Sequence, residues 1–436
     1  MPMNLSPAHR VFAGFAIYSF AMGNIFPRLA DVQAGMGVTT AALGLGLIGA
    51  PIGTLFALTF ATPHLERWGF GRILPPALPV LATLYALAVH ASSPLVLFLL
   101  LLPAGVVIGC IEMMLNAEAD RTEQLIGRRI MNRSHAFWSI GFFSAGIFGA
   151  QVASFGLSPQ LHLALVVPLV TGASFLALRD YQPSPARSGV AGGDVPHFAA
   201  PTAAILLLVV VTIPAMLLEG ASMDWSAIYM RDAFGADPFW QGIAVASFAM
   251  AQGGMRFFAD GVVERTSPAS LARVLFLSLL VGCVIVVTSP WPLLSLAGFA
   301  AMGFGTSAIF PLAMSAAARR TDRSSALNIA ALAQFAFLLF LLGPPLLGFV
   351  AHAWGIRTAF GISLPLIAVS LLTAGALAVG ICLIGHRLKQ RTGGTSVTKT
   401  GRRCGGLSPQ RSGSGSAGRR WSGRWTGPRG RRFQGP

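Results

Sequence analysis

Glu112 and Asn116 lie four residues apart inside the apolar run 95–117, so on a helix they share one face. The next apolar run, 131–155, carries His135 about one turn from its start, which puts the imidazole at a similar depth. Ionisable groups in a hydrocarbon-length segment are costly and normally face a partner or a watery cavity. The chemistry expected of Glu112 is therefore proton binding and release, with His135 or Asn116 as hydrogen-bond partner. The bland alternative is a run that ends early, leaving Glu112 at the interface. A second set comprises Asn24, Arg28 and Asp31 at i, i+4 and i+7 around Pro27, and Glu219 and Asp224 in the run 201–230. Arg28 pairing with Glu219 or Asp224 would close the outer end; separate interfacial charges are the alternative. Trp138, Gln241 and Gln334 offer the aromatic face and amides that orient a polar solute in a pocket, with Asn24 and Asn116 as further binding amides. Trp225 and Trp240 read as interfacial anchors.

The elements that must hold these groups are set by composition. Of 436 residues, 54% are hydrophobic and 11% charged, against about 25% charged in soluble domains. That balance belongs to a polytopic membrane protein and excludes a soluble enzyme. The formal charge of +16 is a tail property: 13 of the 31 Lys and Arg lie beyond Gly385, with no Asp or Glu there. The body keeps 18 basic against 15 acidic residues. The four cysteines, Cys110, Cys283, Cys382 and Cys404, have no metal or disulfide spacing. The N-terminus runs into a long apolar segment without a small-residue cleavage site, which reads as a retained first span.

At about 20 apolar residues per span, twelve spans are expected: 11–30, 41–63, 73–92, 95–117, 131–155, 160–178, 201–230, 238–258, 271–289, 292–316, 326–352 and 358–385. Placing the N-terminus in the cytoplasm leaves fifteen arginines on the inner side and only Arg28, Arg231 and Arg357 outside, a positive-inside bias that fixes both termini inside. Residues 179–200, rich in Pro, Gly and Ser, read as a cytoplasmic linker between bundles 1–178 and 201–385. A shift of 198 residues lays Glu66-Arg67 on Glu264-Arg265 and Arg121 on Arg319, as a parallel duplication would. Glu118, Asp120, Arg121, Glu123, Arg128, Arg129 and Arg133 read as a connecting loop that sets topology. Residues 386–436 read as a disordered, dispensable basic tail; it has no nucleic-acid module, though it suits anionic head groups.

Two six-span halves, a central linker and the charged loop Glu66-Arg67-Trp68-Gly69-Phe70-Gly71-Arg72 resemble the major facilitator superfamily, whose loop between spans 2 and 3 typically reads Asp-Arg-x-Gly followed by basic residues. The second-half counterpart runs from Arg256 through Asp260 to Glu264-Arg265. The span-4 acid, the NRSHAFWSIG entry to span 5 and the EGASMDWS run in span 7 resemble the branch of fucose permease-like proton-coupled sugar porters. That resemblance implies an all-α integral membrane fold of twelve helices in two pseudo-symmetric bundles, and a span-4 carboxylate, here Glu112, in binding and coupling. The branch's span-1 carboxylate is absent; Asn24 is the polar residue there. The resemblance also implies an inner gate at Glu66, Arg67 and Arg72 with Asp260 and Arg265. The Gly-Pro motif that many exporters of the superfamily carry in span 5 is missing, and Gly343-Pro344 lies in span 11 instead, which favours uptake.

The expected protein is a monomeric secondary transporter of a bacterial inner membrane, moving a sugar or similar polar metabolite with protons and using no cofactor or metal. Efflux of an amphipathic compound and an integral-membrane enzyme built on His135 are the alternatives. No G-x-x-x-x-G-K-[ST] run supplies a nucleotide site. The spread of polar residues over spans 1, 4, 5, 7 and 11 argues against an enzyme, which would concentrate them at one interface.

Overall fold

Helix starts are written plainly in this chain. Ser6-Pro7, Ser93-Pro94, Ser158-Pro159 and Ser267-Pro268 each place a side-chain oxygen at the N-cap and a proline at the first helical position. Thr39, Thr202 and Ser324 cap three more helices through the same hydroxyl-to-amide bond. Gly37, Gly127 and Gly235, with φ of 65°, 66° and 60°, end helices in the left-handed conformation that a side chain would resist.

The computed structural model describes residues 5–184 and 199–378, apart from a few side chains; the basic tail expected over 386–436 lies outside them. In order, the helices are α1 Pro7–Gly23, a 3-10 turn Phe26–Arg28, α2 Leu29–Met36, α3 Thr40–Leu47, α4 Gly49–Phe60, α5 Thr62–Trp68 and α6 Phe70–Ala88. Then come α7 Pro94–Ile126, α8 Met131–Ser154, α9 Pro159–Leu178, α10 Ala203–Phe234, α11 Pro238–Arg265 and α12 Pro268–Thr288. The last are α13 Pro292–Thr306, α14 Ile309–Ala318, α15 Ser325–Trp354, α16 Ile356–Gly361 and α17 Ser363–Thr373, followed by a 3-10 turn Ala374–Ala378. Over the described residues each of the twelve expected spans falls on helix, the last of them as far as Ala378, and among those residues ten helical segments are long and apolar enough to cross a bilayer. The other two are α1, 17 residues long before the break at Asn24–Arg28, and α11, which carries more polar side chains.

Two expected loops are helical. α7 continues to Ile126, so Glu118, Asp120, Arg121 and Glu123 ride on it, and the connection shrinks to 127–130. Charged side chains are good helix formers, and the Asp120–Gln124 hydrogen bond (2.9 Å) supports the extension until Gly127 stops it. Glu118 is buried and accepts from the Ser184 amide (2.8 Å), while Thr122 meets the Ser184 hydroxyl (3.0 Å), so this acid holds the start of the linker. Glu123 accepts from the Ile130 and Met131 amides (2.6 and 2.7 Å) and caps α8. α11 likewise carries residues 256–265 as helix. At the other end of the linker, Thr202 and Asn328 hydrogen-bond Asp322 at 2.9 Å each. Those bonds, Asn328 first, hold the Asp322 carboxyl below its ordinary range.

The duplication is visible in the helix register. Starts at Thr40, Phe70 and Pro94 recur at Pro238, Pro268 and Pro292, each 198 residues later, and the left-handed Gly37 recurs as Gly235. Alternation of the helices defines two sides: a near side, where α1 begins, and a far side, where α2 ends. Within the first half α4 lies against α7 with no room for side chains between them. A Cβ on Gly53 or Gly105 would run into the backbone of the facing helix, at Leu102 and Ala50 respectively. Between the halves α8 and α11 run antiparallel in one constant register, with Ser139 against Gly253, Gly146 against Ala246 and Ala150 against Gly242.

Overpacking of a close helix crossing costs about 1–3 kcal/mol or more. Gly105→Leu is expected to lower the thermal midpoint of the detergent-purified protein sharply. Gly254→Ala, with open space around its Cβ, should leave it unchanged or slightly raised; equal midpoints for the two variants would contradict the packing.

Candidate functional site

Polar side chains meet where helices of both halves face one another. Tyr18 on α1 lies close to the Glu112 carboxylate on α7. Asn116, one turn along the same face, donates from Nδ2 to the Glu112 carbonyl (2.9 Å), and its Oδ1 meets Nε2 of His135 on α8 (3.2 Å). With Oδ1 as acceptor, His135 carries its hydrogen on Nε2. Phe15 packs against the imidazole, 5.1 Å between ring centroids. The structure therefore brings Glu112, Asn116 and His135 together, with one correction: Asn116 bonds the backbone carbonyl of Glu112 and His135 bonds Asn116, so neither is the partner of the Glu112 carboxylate, and Tyr18 is the side chain close to it. A cavity of about 370 Å³ opens beside this cluster, lined by Glu112 and Asn116 together with Leu58, Leu65 and Phe70 at the near-side ends of α4, α5 and α6.

The second half contributes Arg256 on α11. Its Nη2 donates to Glu219 on α10 (3.1 Å) and its Nε to the Ser307 carbonyl (3.0 Å). Both ends of the ion pair are largely withdrawn from solvent, 18% and 10% exposed. Its charge is felt by His135 across the interface between the halves. Asp224, five residues beyond Glu219 on the same helix, lies within electrostatic range of Tyr85 on α6.

The outer closure is built differently from the expectation. Arg28 does not reach Glu219 or Asp224. The 3-10 turn at Phe26–Arg28, imposed by Pro27, directs it to Asp31 (3.1 Å) and to the Leu157 carbonyl within its own half. The bridge between halves is Arg231, which donates to the Ala30 carbonyl (2.8 Å) and to Gln33 Oε1 (2.6 Å). Arg231 and Gln33 are 198 residues apart, so each pairs with the position that the internal repeat makes its equivalent. Thr40 on α3 adds a bond to the Gly348 carbonyl on α15 (3.1 Å). These three hydrogen bonds join the two halves on the far side.

Other expected site residues have structural duties. Asn24 is fully buried; it donates to the Phe20 carbonyl (2.7 Å) and its Oδ1 meets His162 (2.9 Å) within the first half. Gln334 accepts from the Ala199 amide (3.1 Å), at the end of the linker. Gln241 donates to the Ala236 carbonyl (2.8 Å). Trp138 stacks on Phe142 (5.2 Å) in an apolar patch between the halves that includes Met22, Met223 and Val245. Trp225 is no interfacial anchor: it is 1% exposed, with its ring against Gly348. Of the residues with an expected inner-gate role, Arg67, Arg72 and Arg265 are exposed, and the side chains of Glu66 and Asp260 lie outside the described ones.

Sequence reasoning missed Tyr18, Tyr85, Gln33 and the inward roles of Arg231 and Arg256. Two signals were available. The chain has only four tyrosines, and two of them sit mid-run beside the acids. An acid in an apolar run, Glu219, also demands a cation at the same depth.

A helical bundle in two repeated halves, with a polar cluster between them, defines a membrane carrier. The description Major Facilitator Superfamily fits residues 203–395 as a family model. An uncharacterised transporter of Sinorhizobium fredii is 29% identical, covering 82% of this chain and 94% of its own length. An uncharacterised transporter of Yersinia pestis, described as of this superfamily's type, is 27% identical over 84% of this chain and 93% of its own. In fold, the chain is similar to a mutant of the nucleoside transporter NupG (TM-score 0.67, 12% identity, 85% of this chain and all of that one). It is also similar to a bacterial homologue of the human lysosomal transporter Spinster in an inward-facing, occupied conformation (TM-score 0.62, 14% identity, 87% and 96%). In sequence the chain is similar to membrane transporters of the Major Facilitator Superfamily.

Removing one member of a buried ion pair strands the other, at roughly 3–5 kcal/mol. Arg256→Met should therefore destabilise the protein strongly, and Glu219→Met/Arg256→Met together should recover part of the loss. A double variant no more stable than Arg256→Met would show that the pair is not the cause.

Proposed function

We propose that this transporter takes up a small polar solute, a sugar or similar metabolite, together with protons, by alternating access. The observation that carries the reading is Glu112: a carboxyl at membrane depth on the wall of a cavity, with Leu58, Leu65 and Phe70 from the near-side ends of neighbouring helices on the same wall. The arginine distribution makes the near side the cytoplasm, with both termini there and the two bundles joined by a cytoplasmic linker over 179–200. With three hydrogen bonds joining the halves on the far side, the geometry suits an inward-facing state. A volume of about 370 Å³ falls in the range of small-molecule sites, roughly 300–1,000 Å³.

In this reading Glu112 loads a proton from the outside when the far side is open and releases it through the cavity when the near side is open. Asn116 and His135 orient the binding wall, and Trp138 supplies an aromatic face between the halves. Rocking of the halves breaks Arg231–Gln33 and Thr40–Gly348 on one side and closes the other, where Arg67, Arg72 and Arg265 meet the acids Glu66 and Asp260. The working unit is one chain in the bacterial inner membrane, and the energy is the proton gradient.

The test is a proteoliposome screen of sugars, other small metabolites and nucleosides, read by lumenal pH. A substrate should drive proton movement in the wild type, and Glu112→Gln should abolish it while still binding that substrate. Unchanged proton flux in Glu112→Gln would remove this residue from the mechanism. Outward pumping in place of uptake would reverse the direction proposed.

A second prediction concerns the far-side seal. Arg231→Ala with Gln33→Ala removes two hydrogen bonds between the halves and should favour the outward-open state. A single cysteine placed at Met22 should then react faster with a membrane-impermeant maleimide from outside. No change in labelling rate would mean that the seal rests on helix packing alone.

A further inference from the structure

We propose that the near-side connection between α14 and α15 holds a phosphate group on Arg320 and Arg323, supplied by a phospholipid head group of the adjoining leaflet or by free phosphate. Residues 319–324 read Arg-Arg-Thr-Asp-Arg-Ser. They are fixed where near-side helix ends meet. Asp322 accepts from Thr202 at the N-cap of α10 and from Asn328 in the first turn of α15, at 2.9 Å each, and from the Arg323 amide at 3.1 Å. Thr202 and Ser324 cap α10 and α15, so the positive ends of both helices converge beside Arg323. Asp322 is the one acid of the connection, and both its oxygens are already engaged.

The three arginines differ in their partners. Arg319 is exposed, and its Nε donates to the Ser315 carbonyl (3.0 Å). Arg320 keeps its Nε, and Arg323 its Nε and Nη2, shielded from solvent and without an acceptor. Nε and Nη2 form one edge of a guanidinium, a pair of parallel donors that matches two oxygens of a phosphate. A shielded N–H without an acceptor is costly, and more so on a cation. Water satisfies such a donor but brings no counter-charge; a phosphate brings both. Asn328 is fully buried and keeps its Oδ1 unpartnered as well. An acceptor next to the donor edge suits a phosphate that also carries a hydroxyl, either its own or that of a glycerol head group. If the near side is the cytoplasm, as in the reading above, the adjoining leaflet is the one that displays anionic head groups to basic pockets between helices. The chemistry of the site is the same in either orientation.

Thermal midpoints of the delipidated full chain in neutral detergent test the site with no membrane, gradient or transported solute. Dioleoylphosphatidylglycerol is titrated against dioleoylglycerol, which has the same tails and no phosphate, and inorganic phosphate is titrated separately. A saturable rise with phosphatidylglycerol but not with dioleoylglycerol assigns the site to a lipid head group; a rise with inorganic phosphate alone assigns it to the free anion. In either case Arg320→Gln/Arg323→Gln should weaken the apparent affinity about ten- to a hundredfold, as loss of charge-assisted hydrogen bonds does. Arg319→Gln should leave it unchanged. No rise with either phosphate probe shows that water satisfies the donors and overturns the proposal, and this wild-type comparison stands even if the double variant fails to fold. An equal rise with dioleoylglycerol, or an equal loss in Arg319→Gln that marks diffuse surface charge, overturns it too. None of these results bears on Glu112, whose role is read from proton flux in proteoliposomes.

Discussion

The constraint on which the structure depends is the cost of holding charge where water is scarce. Removing a carboxylate or a guanidinium from water costs several kcal/mol even after relaxation, and the bundle meets this cost by pairing. Where a cation is at hand it is fixed by several bonds, as Arg256 is by Glu219 and the Ser307 carbonyl, and Arg231 by Ala30, Gln33 and Asp232. Glu112 has no cation beside it among the described ion pairs; the Asn116 amide on its own helix face and the neighbouring Tyr18 are the polar groups near it. The paired arrangement holds a conformation together.

Small residues make those arrangements possible. The constant register of α8 against α11, through Gly146 and Gly242 on one line, brings His135 and Arg256 to one level across the interface. The close crossing of α4 on α7 at Gly53 and Gly105 fixes the helix that carries Glu112. Helices that touch backbone to backbone have few intermediate positions, so relative motion of the halves is movement of whole surfaces.

The architecture was legible in the sequence because apolar length and arginine placement are both physical necessities in a bilayer. Over their described residues the twelve expected spans fall on helix, and the 198-residue repeat inferred from two charged pairs reappears in helix starts and in Gly37 and Gly235. Helix ends were less legible, since charged residues after a span continue a helix as readily as they leave it; Glu118 and Glu123 were placed in a loop for that reason. The site was legible where spacing on one helix decides, as for Glu112 with Asn116. It was not where the partner lies on another helix: Arg231 met Gln33, Asn24 was consumed by His162, and Trp225 was buried against Gly348. Sequence separation says nothing of such meetings, and only the count of charges that need a partner gives a hint.

That count also explains why the far-side seal sits on Arg231 and Gln33. In a duplicated fold the positions nearest the pseudo-twofold axis meet their own equivalents, so an identical residue at both would place like beside like. Two arginines there would repel, and two glutamines would hold the halves with neutral bonds alone. Arginine on one side and glutamine on the other gives a charge-assisted bond that needs no buried acid, with the spare donors satisfied by the Ala30 carbonyl and Asp232. Lacking an ion pair between the halves, a bond of this kind joins them without the desolvation cost that a buried carboxylate would add.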